Sequence, residues 1–301
     1  MSPSVAHPID TSENESTSPS APRGGDEALR AATAAVRSGR TAVADDTKFS
    51  PMLVRALEEL GRVKREAGQF DEALGLYREA EEQALAAAMD VAVLAHLRAG
   101  LATLLDDLGR EDEAFPVYER AIKDLEAMQP PDIVTAGQLR NNLAMNYKRL
   151  NKFALAEQHY LAAIEALEGT LGRETEEVSS LFNNLGGLYY AAGFADQAKS
   201  MFMDAMEIRL KLLGPGHPDM AQSHCNLGTV QYELGDSVAA QLSFEQSLRI
   251  LEAHIADEAA SYEAVGMDYI AMLGAIHEDD KAAAFQKRLN NMLARHRGEG
   301  Q

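Results

Sequence analysis

The chain has 301 residues, 46% hydrophobic and 25% charged, with a formal net charge of −19; this is globular composition, enough for one large or two ordinary domains. A chain this acidic repels polyanions, which disfavours nucleic acid and, away from locally basic patches, anionic membrane. The single cysteine, Cys225, forms no internal disulfide, and without a CxxC pair there is no zinc framework.

Residues 1–25 are rich in Ser, Pro, Thr and Glu, with little to bury, and are expected to be a disordered tail. They lack the basic n-region and apolar run of a secretory leader. No segment approaches the roughly 18 consecutive apolar residues of a membrane span, so the expected location is the cytoplasm. Asp26 to Arg37 is Ala-rich and predicted helical, followed by a break from Arg40 to Ser50. Residues 26–50 are thus a capping helix and linker, covering the exposed apolar face of an end repeat. Pro51, tolerated at a first helical position, opens the next helix.

From there to residue 297 the chain repeats. Gly68, Gly109, Asn151, Gly193 and Gly235 stand at spacings of 41, 42, 42 and 42, and a further step of 42 reaches His277 in a degenerate sixth unit. Eight residues before these anchors lie Leu60, Leu101, Leu143, Leu185 and Leu227, each followed by a small residue: Gly61, Ala102, Ala144, Gly186, Gly228. Five residues after each anchor comes Ala73, Ala114, Ala156, Ala198 or Ala240. Four further on comes Tyr77, Tyr118, Tyr160, Phe202 or Phe244, and then Ala80, Ala121, Ala163, Ala205 or Ser247. Those offsets trace one helix face. Each unit is therefore a helix pair in which a small residue faces an aromatic knob. A pair of this size leaves one side bare until the next pair stacks on it, which predicts an all-α, right-handed solenoid over residues 51–297, with residues 298–301 as a tail.

The columns resemble the tetratricopeptide repeat, with a period of 42 in place of its usual 34. The phrases Asn141-Asn142-Leu143-Ala144, Asn183-Asn184-Leu185-Gly186, Leu213-Gly214-Pro215-Gly216-His217-Pro218-Asp219 and Ala114-Phe115-Pro116-Val117-Tyr118 are similar to those of the kinesin light chain subclass. Pro116 falls inside a second helix, where it should loosen one hydrogen bond and bend the axis. Residues 1–50 show no sustained heptads of the kind by which animal light chains attach to their motor. The resemblance extends to bacterial kinesin light chains, compact repeat chains that accompany bacterial tubulins and associate with their filaments. It implies a protein-binding adaptor whose partner is a peptide segment or a cytoskeletal filament such as bacterial tubulin.

Chemistry is not signalled. There is no strand with a Gly-rich loop, GxSxG, HExxH or Walker lysine, so neither a cofactor nor a metal is expected and the chain is expected not to be an enzyme. His224 and Cys225 are adjacent, and neighbouring helical positions point about 100° apart.

The candidate site is the column one residue before the Leu anchors. In the tetratricopeptide fold this position lines a concave groove, and here it holds Asn142, Asn184 and Asn226. Asparagine is unfavourable within a helix. Its amide can both donate to and accept from an extended peptide, or can join neighbouring helices. Met145, Lys148, Arg149, Tyr190 and Thr229 accompany it. A chaperone-type or regulatory peptide clamp is the alternative reading of this groove. Near the C-terminus Lys281, Arg288 and Arg295 fall seven apart, flanked by Lys287 and Arg297. This basic stripe either complements the helix dipole or meets an acidic partner surface, a filament or anionic lipid at the membrane periphery.

Overall fold

The structure, a computed structural model, describes residues 23–46 and 51–298. Of the expected tails, residues 1–22 and 299–301 lie outside the described residues. Among the described residues there are thirteen helices and no strand. They are α1 (Arg23–Asp46), α2 (Pro51–Glu66), α3 (Phe70–Ala86), α4 (Val91–Asp107), α5 (Glu111–Ala127), α6 (Ile133–Arg149) and α7 (Phe153–Leu171). After these come α8 (Glu176–Ala191), α9 (Ala195–Leu213), α10 (Pro218–Glu233), α11 (Ser237–Ala253), α12 (Ile255–Ala275) and α13 (Asp279–His296). They fall into two compact units, a first within residues 14–166 and a second from Leu167 onward.

Within each unit successive helices form hairpins that also pack on the first helix of the next hairpin. The turns follow from the anchors. Gly68, Gly109, Asn151, Gly193, Gly235 and His277 all have positive φ, between 56° and 81°, the left-handed conformation that ends a helix. At Gly193 the amide donates to Tyr190 O (3.0 Å) and the next amide, of Phe194, reaches back to Tyr189 O (2.8 Å), which closes the orphan carbonyls of α8. The weak sixth unit thus turns in the same way as the others.

The knob and its hole are also present. A Cβ on Gly186 would stand 2.7 Å from the Phe202 ring, one on Gly228 2.9 Å from Phe244, and one on Gly61 3.0 Å from Tyr77. Tyr118, Phe202 and Phe244 are buried along with the alanines of their columns, each aromatic contributing roughly 1.5–3 kcal/mol by removal from water. In the second unit the interior continues through Met220, Leu248, Tyr262, Tyr269 and Leu289 into α13.

One expectation is corrected. α1 continues past Arg40, where the break was predicted to begin, as far as Asp46, and at Gly39 it approaches α2 closely: a Cβ there would lie 3.1 Å from the Leu53 Cα. Ala32 and Val36 are buried on the same helix, and Arg40 reaches Glu79 of α3 at 2.6 Å. As expected, Pro116 lies inside a second helix, α5, which continues across it. Pro116 is exposed and follows the first turn, so its missing amide proton costs one hydrogen bond on the solvent side.

Candidate partner-binding face

In the first unit the face carried by α2, α4 and α6 is crossed by ion pairs. Arg62 is held between Glu59 (2.6 Å) and Glu66 on α2, and Arg65 reaches Asp107 of α4. Arg149 joins α6 to Asp106 (3.1 Å) and to Glu111 (2.9 Å). The Asn146 amide, itself buried, donates to Asp106 Oδ2 at 2.7 Å and to the Asn142 carbonyl at 3.0 Å. Arg149 is therefore a bridge between helices and not the free groove cation that its position suggested.

Asn142 is half-buried. Its neighbour Asn141 donates to Asn142 Oδ1 at 3.5 Å and contacts Met145 Sδ at the same distance. The Tyr118 hydroxyl lies beside Thr103 and Asn142, and burial pushes its pKa up, but it makes no hydrogen bond of good geometry. Lys148 is half-buried and partnered. At the corresponding place on α4 stands Gly100, whose missing side chain leaves room for the Tyr77 ring, 2.6 Å from where a Cβ would be.

The second unit treats the same column differently. Asn226 is fully buried and donates to Asn183 Oδ1 at 2.9 Å, and Thr229 is buried with its hydroxyl donating to Cys225 O at 3.1 Å. These two residues were expected in a partner site, and the structure removes both from the surface. The Asn226 amide serves the contact between α8 and α10, while the Thr229 hydroxyl is spent within α10 itself. Asn184 is 8% exposed and partnered.

What this face presents is exposed Glu233 together with Tyr190 and Asp268, both half-buried. The pKa of Tyr190 is pushed up to about 12, first by burial and then by Glu233 and Asp268. Asp268 stands 42 residues after Asn226 and so continues the asparagine column onto α12. It makes no hydrogen bond or ion pair among the described residues, and burial raises its pKa to about 6. Asp268 was missed because its neighbours Tyr269 and Ile270 break the Leu-small pattern that marked the earlier columns; the period alone would have found it.

The basic stripe is largely neutralised. Lys281 pairs with Glu245 at 2.9 Å and lies over the Tyr269 ring, Arg288 pairs with Glu252, and Arg297 lies 3.4 Å from Glu263. Lys287 and Arg295 are exposed. Cys225 is buried and its thiol pKa raised by desolvation, while burial lowers that of His224; no hydrogen bond joins the two among the described residues. No described helix is long and apolar enough to cross a membrane, and among the described residues no group of three His, Cys, Asp or Glu is placed to hold a metal ion.

The comparisons agree with the repeat. Family models described as tetratricopeptide repeat match residues 95–123, 138–176 and 177–253. The crystal structure of BtubC (BKLC) from P. vanneervenii is 31% identical, with a TM-score of 0.66, over 77% of this chain and 93% of that one. TPR-like repeats of a Podosopora anserina protein classed with the kinesin light chains match at 20% identity and a TM-score of 0.58, over 67% and 96% of the two chains. The apo form of RapI shares the fold at 11% identity, with a TM-score of 0.70 over 89% and 76%. Among curated proteins no match is found.

Proposed function

This chain belongs to the tetratricopeptide-repeat family, in its kinesin-light-chain type, and from that premise we propose that it is a non-enzymatic adaptor, an accessory protein of a bacterial tubulin-like filament in the cytoplasm. The observation that carries the reading is the likeness to BtubC across nearly all of that protein. The contact we assign to the second unit, on the face where exposed Glu233 stands with half-buried Tyr190 and Asp268. An aromatic with a polar tip beside carboxylates not used in internal pairing offers both packing and charge to a partner. Co-sedimentation of the purified chain with polymerised bacterial tubulin tests it. The chain should enter the pellet saturably; a chain that stays in the supernatant at every filament concentration refutes the reading.

The second reading, a peptide clamp, is supported in the first unit by Asn142, half-buried beside the unpaired Tyr118 hydroxyl and near Met145 and Lys148. A clamp there loses affinity for its peptide in Asn142→Ala while the fold persists. Unchanged affinity in that variant removes the clamp from consideration.

A further inference from the structure

The end of α9 carries a residue out of step with its column. Eleven residues past the buried alanine of each second helix stand Ala84, Leu125, Leu167, Arg209 and Leu251. All five are buried, Arg209 to 5% exposure. A guanidinium thus occupies a place that three other repeats fill with leucine.

A buried charge is costly unless an opposite charge meets it. Arg209 makes no ion pair among the described residues. Its Nη1 donates to three neutral acceptors, Asp219 O (3.4 Å), Gln222 Oε1 (3.0 Å) and Ser223 Oγ (3.1 Å), while Nη2 and Nε make no hydrogen bond there. Burial lowers its pKa from the ordinary arginine value.

Arg209 lines a cleft of about 400 Å³ together with Ser179, Leu212 and Leu213, and with Glu176 and Asp219 at its rim. Ser179 is 1% exposed and its hydroxyl has no partner. Two unmet donors in one cleft, one of them a cation, ask for an anion. Both α8 and α10 begin here, after Thr175 and His217, and helix N-termini favour negative charge. Glu176 and Asp219 act on Arg209 from beyond ion-pair distance; they set a limit on the charge the cleft accepts and favour a monoanionic group over a dianionic phosphate. Leu212 and Leu213, partly exposed, supply apolar walls for a methylene stem.

We propose that this cleft is a carboxylate-binding subsite, in which Nη2 and Nε of Arg209 and the hydroxyl of Ser179 take the carboxylate of a small organic acid or of an acidic side chain in a peptide. The geometry of a guanidinium suits it, since two parallel donors match two carboxylate oxygens. The subsite lies within the second unit and does not depend on the filament reading.

Isothermal titration of the whole chain at low salt tests it, with glutarate, with the blocked peptide Ac-Glu-Glu-Glu-NH2 and with its glutamine counterpart. At least one carboxylate probe should bind saturably and the glutamine peptide should not. Binding of glutarate identifies a free acid as sufficient; binding of the peptide alone identifies a chain-borne acid. Arg209→Leu installs the residue of the neighbouring repeats, so its Tm should be unchanged or raised while affinity falls at least about tenfold. Ser179→Ala should weaken binding severalfold, and it decides the matter if Arg209→Leu does not fold. The proposal is overturned if neither carboxylate probe binds, if inorganic phosphate binds more tightly than both, or if the folded variants bind as the parent does.

Discussion

The two units carry one repeat and use its first-helix column in opposite ways. In the first, Asn142 sits near the surface beside the Tyr118 hydroxyl, and the face around it is knitted by Arg62, Arg65 and Arg149 to acids of the same unit. In the second, the knobs are Phe202 and Phe244, which bring no hydroxyl. Asn226 is withdrawn into a bond with Asn183, and the carboxylate of Asp268 is left without a partner. The difference teaches that a recurring residue need not have a recurring role. An asparagine at the same place in the repeat is half-buried near the surface in one unit and is a helix-to-helix bond in the other.

The knobs should give the largest contrast. Phe202→Ala empties a hole shaped by Gly186 and should cost about 3–5 kcal/mol. Tyr118→Phe removes a hydroxyl that makes no hydrogen bond and should change stability by less than about 1 kcal/mol. Urea denaturation of both variants compares them directly, and equal losses would erase the distinction.

Next in size is the amide pair. Asn226→Ala strands the buried Asn183 oxygen and should destabilise by about 1–3 kcal/mol, whereas Asn142→Ala should stay within about 0.5 kcal/mol.

Asp268 offers a pH contrast of order 1 kcal/mol, as befits a half-buried group. Its folded pKa of about 6 exceeds the ordinary value of 3.8, so between these values the folded chain binds the proton that the unfolded chain has lost. Its contribution therefore favours folding at low pH and fades as pH rises through about 6. Stability of the parent minus that of Asp268→Asn, from denaturation at pH 5 and at pH 7, should be larger at pH 5; a flat difference would contradict the burial.

The smallest effects belong to exposed ion pairs. Arg149→Ala and Arg288→Ala should each cost about 0.2–1 kcal/mol and less in high salt.

The fold was legible because its determinants are local and periodic. Glycine, Asn151 and His277 each mark a left-handed turn, and the small residue opposite an aromatic needs only the helical offsets to be seen. The site was less legible because exposure depends on partners from other repeats. Nothing at Asn226 itself announces that Asn183, 43 residues earlier, will accept its proton. The ion pairs that consume Arg65, Arg149, Lys281 and Arg288 likewise join residues 36 to 43 apart. A search for opposite charges about one repeat apart could have found them. Arg209 carried its own signal, a charged residue in a leucine column, which the alanine and aromatic columns overshadowed.

The contrast between the units meets function in one binding measurement. Two double variants, Tyr190→Ala with Asp268→Asn and Asn142→Ala with Arg149→Ala, are each spun down with bacterial tubulin filaments after their folding has been verified by circular dichroism. The account predicts that the first loses the pellet fraction shown by the parent and the second keeps it. Retention of the first together with loss of the second, or parental behaviour in both, would contradict the assignment of the partner to the second unit.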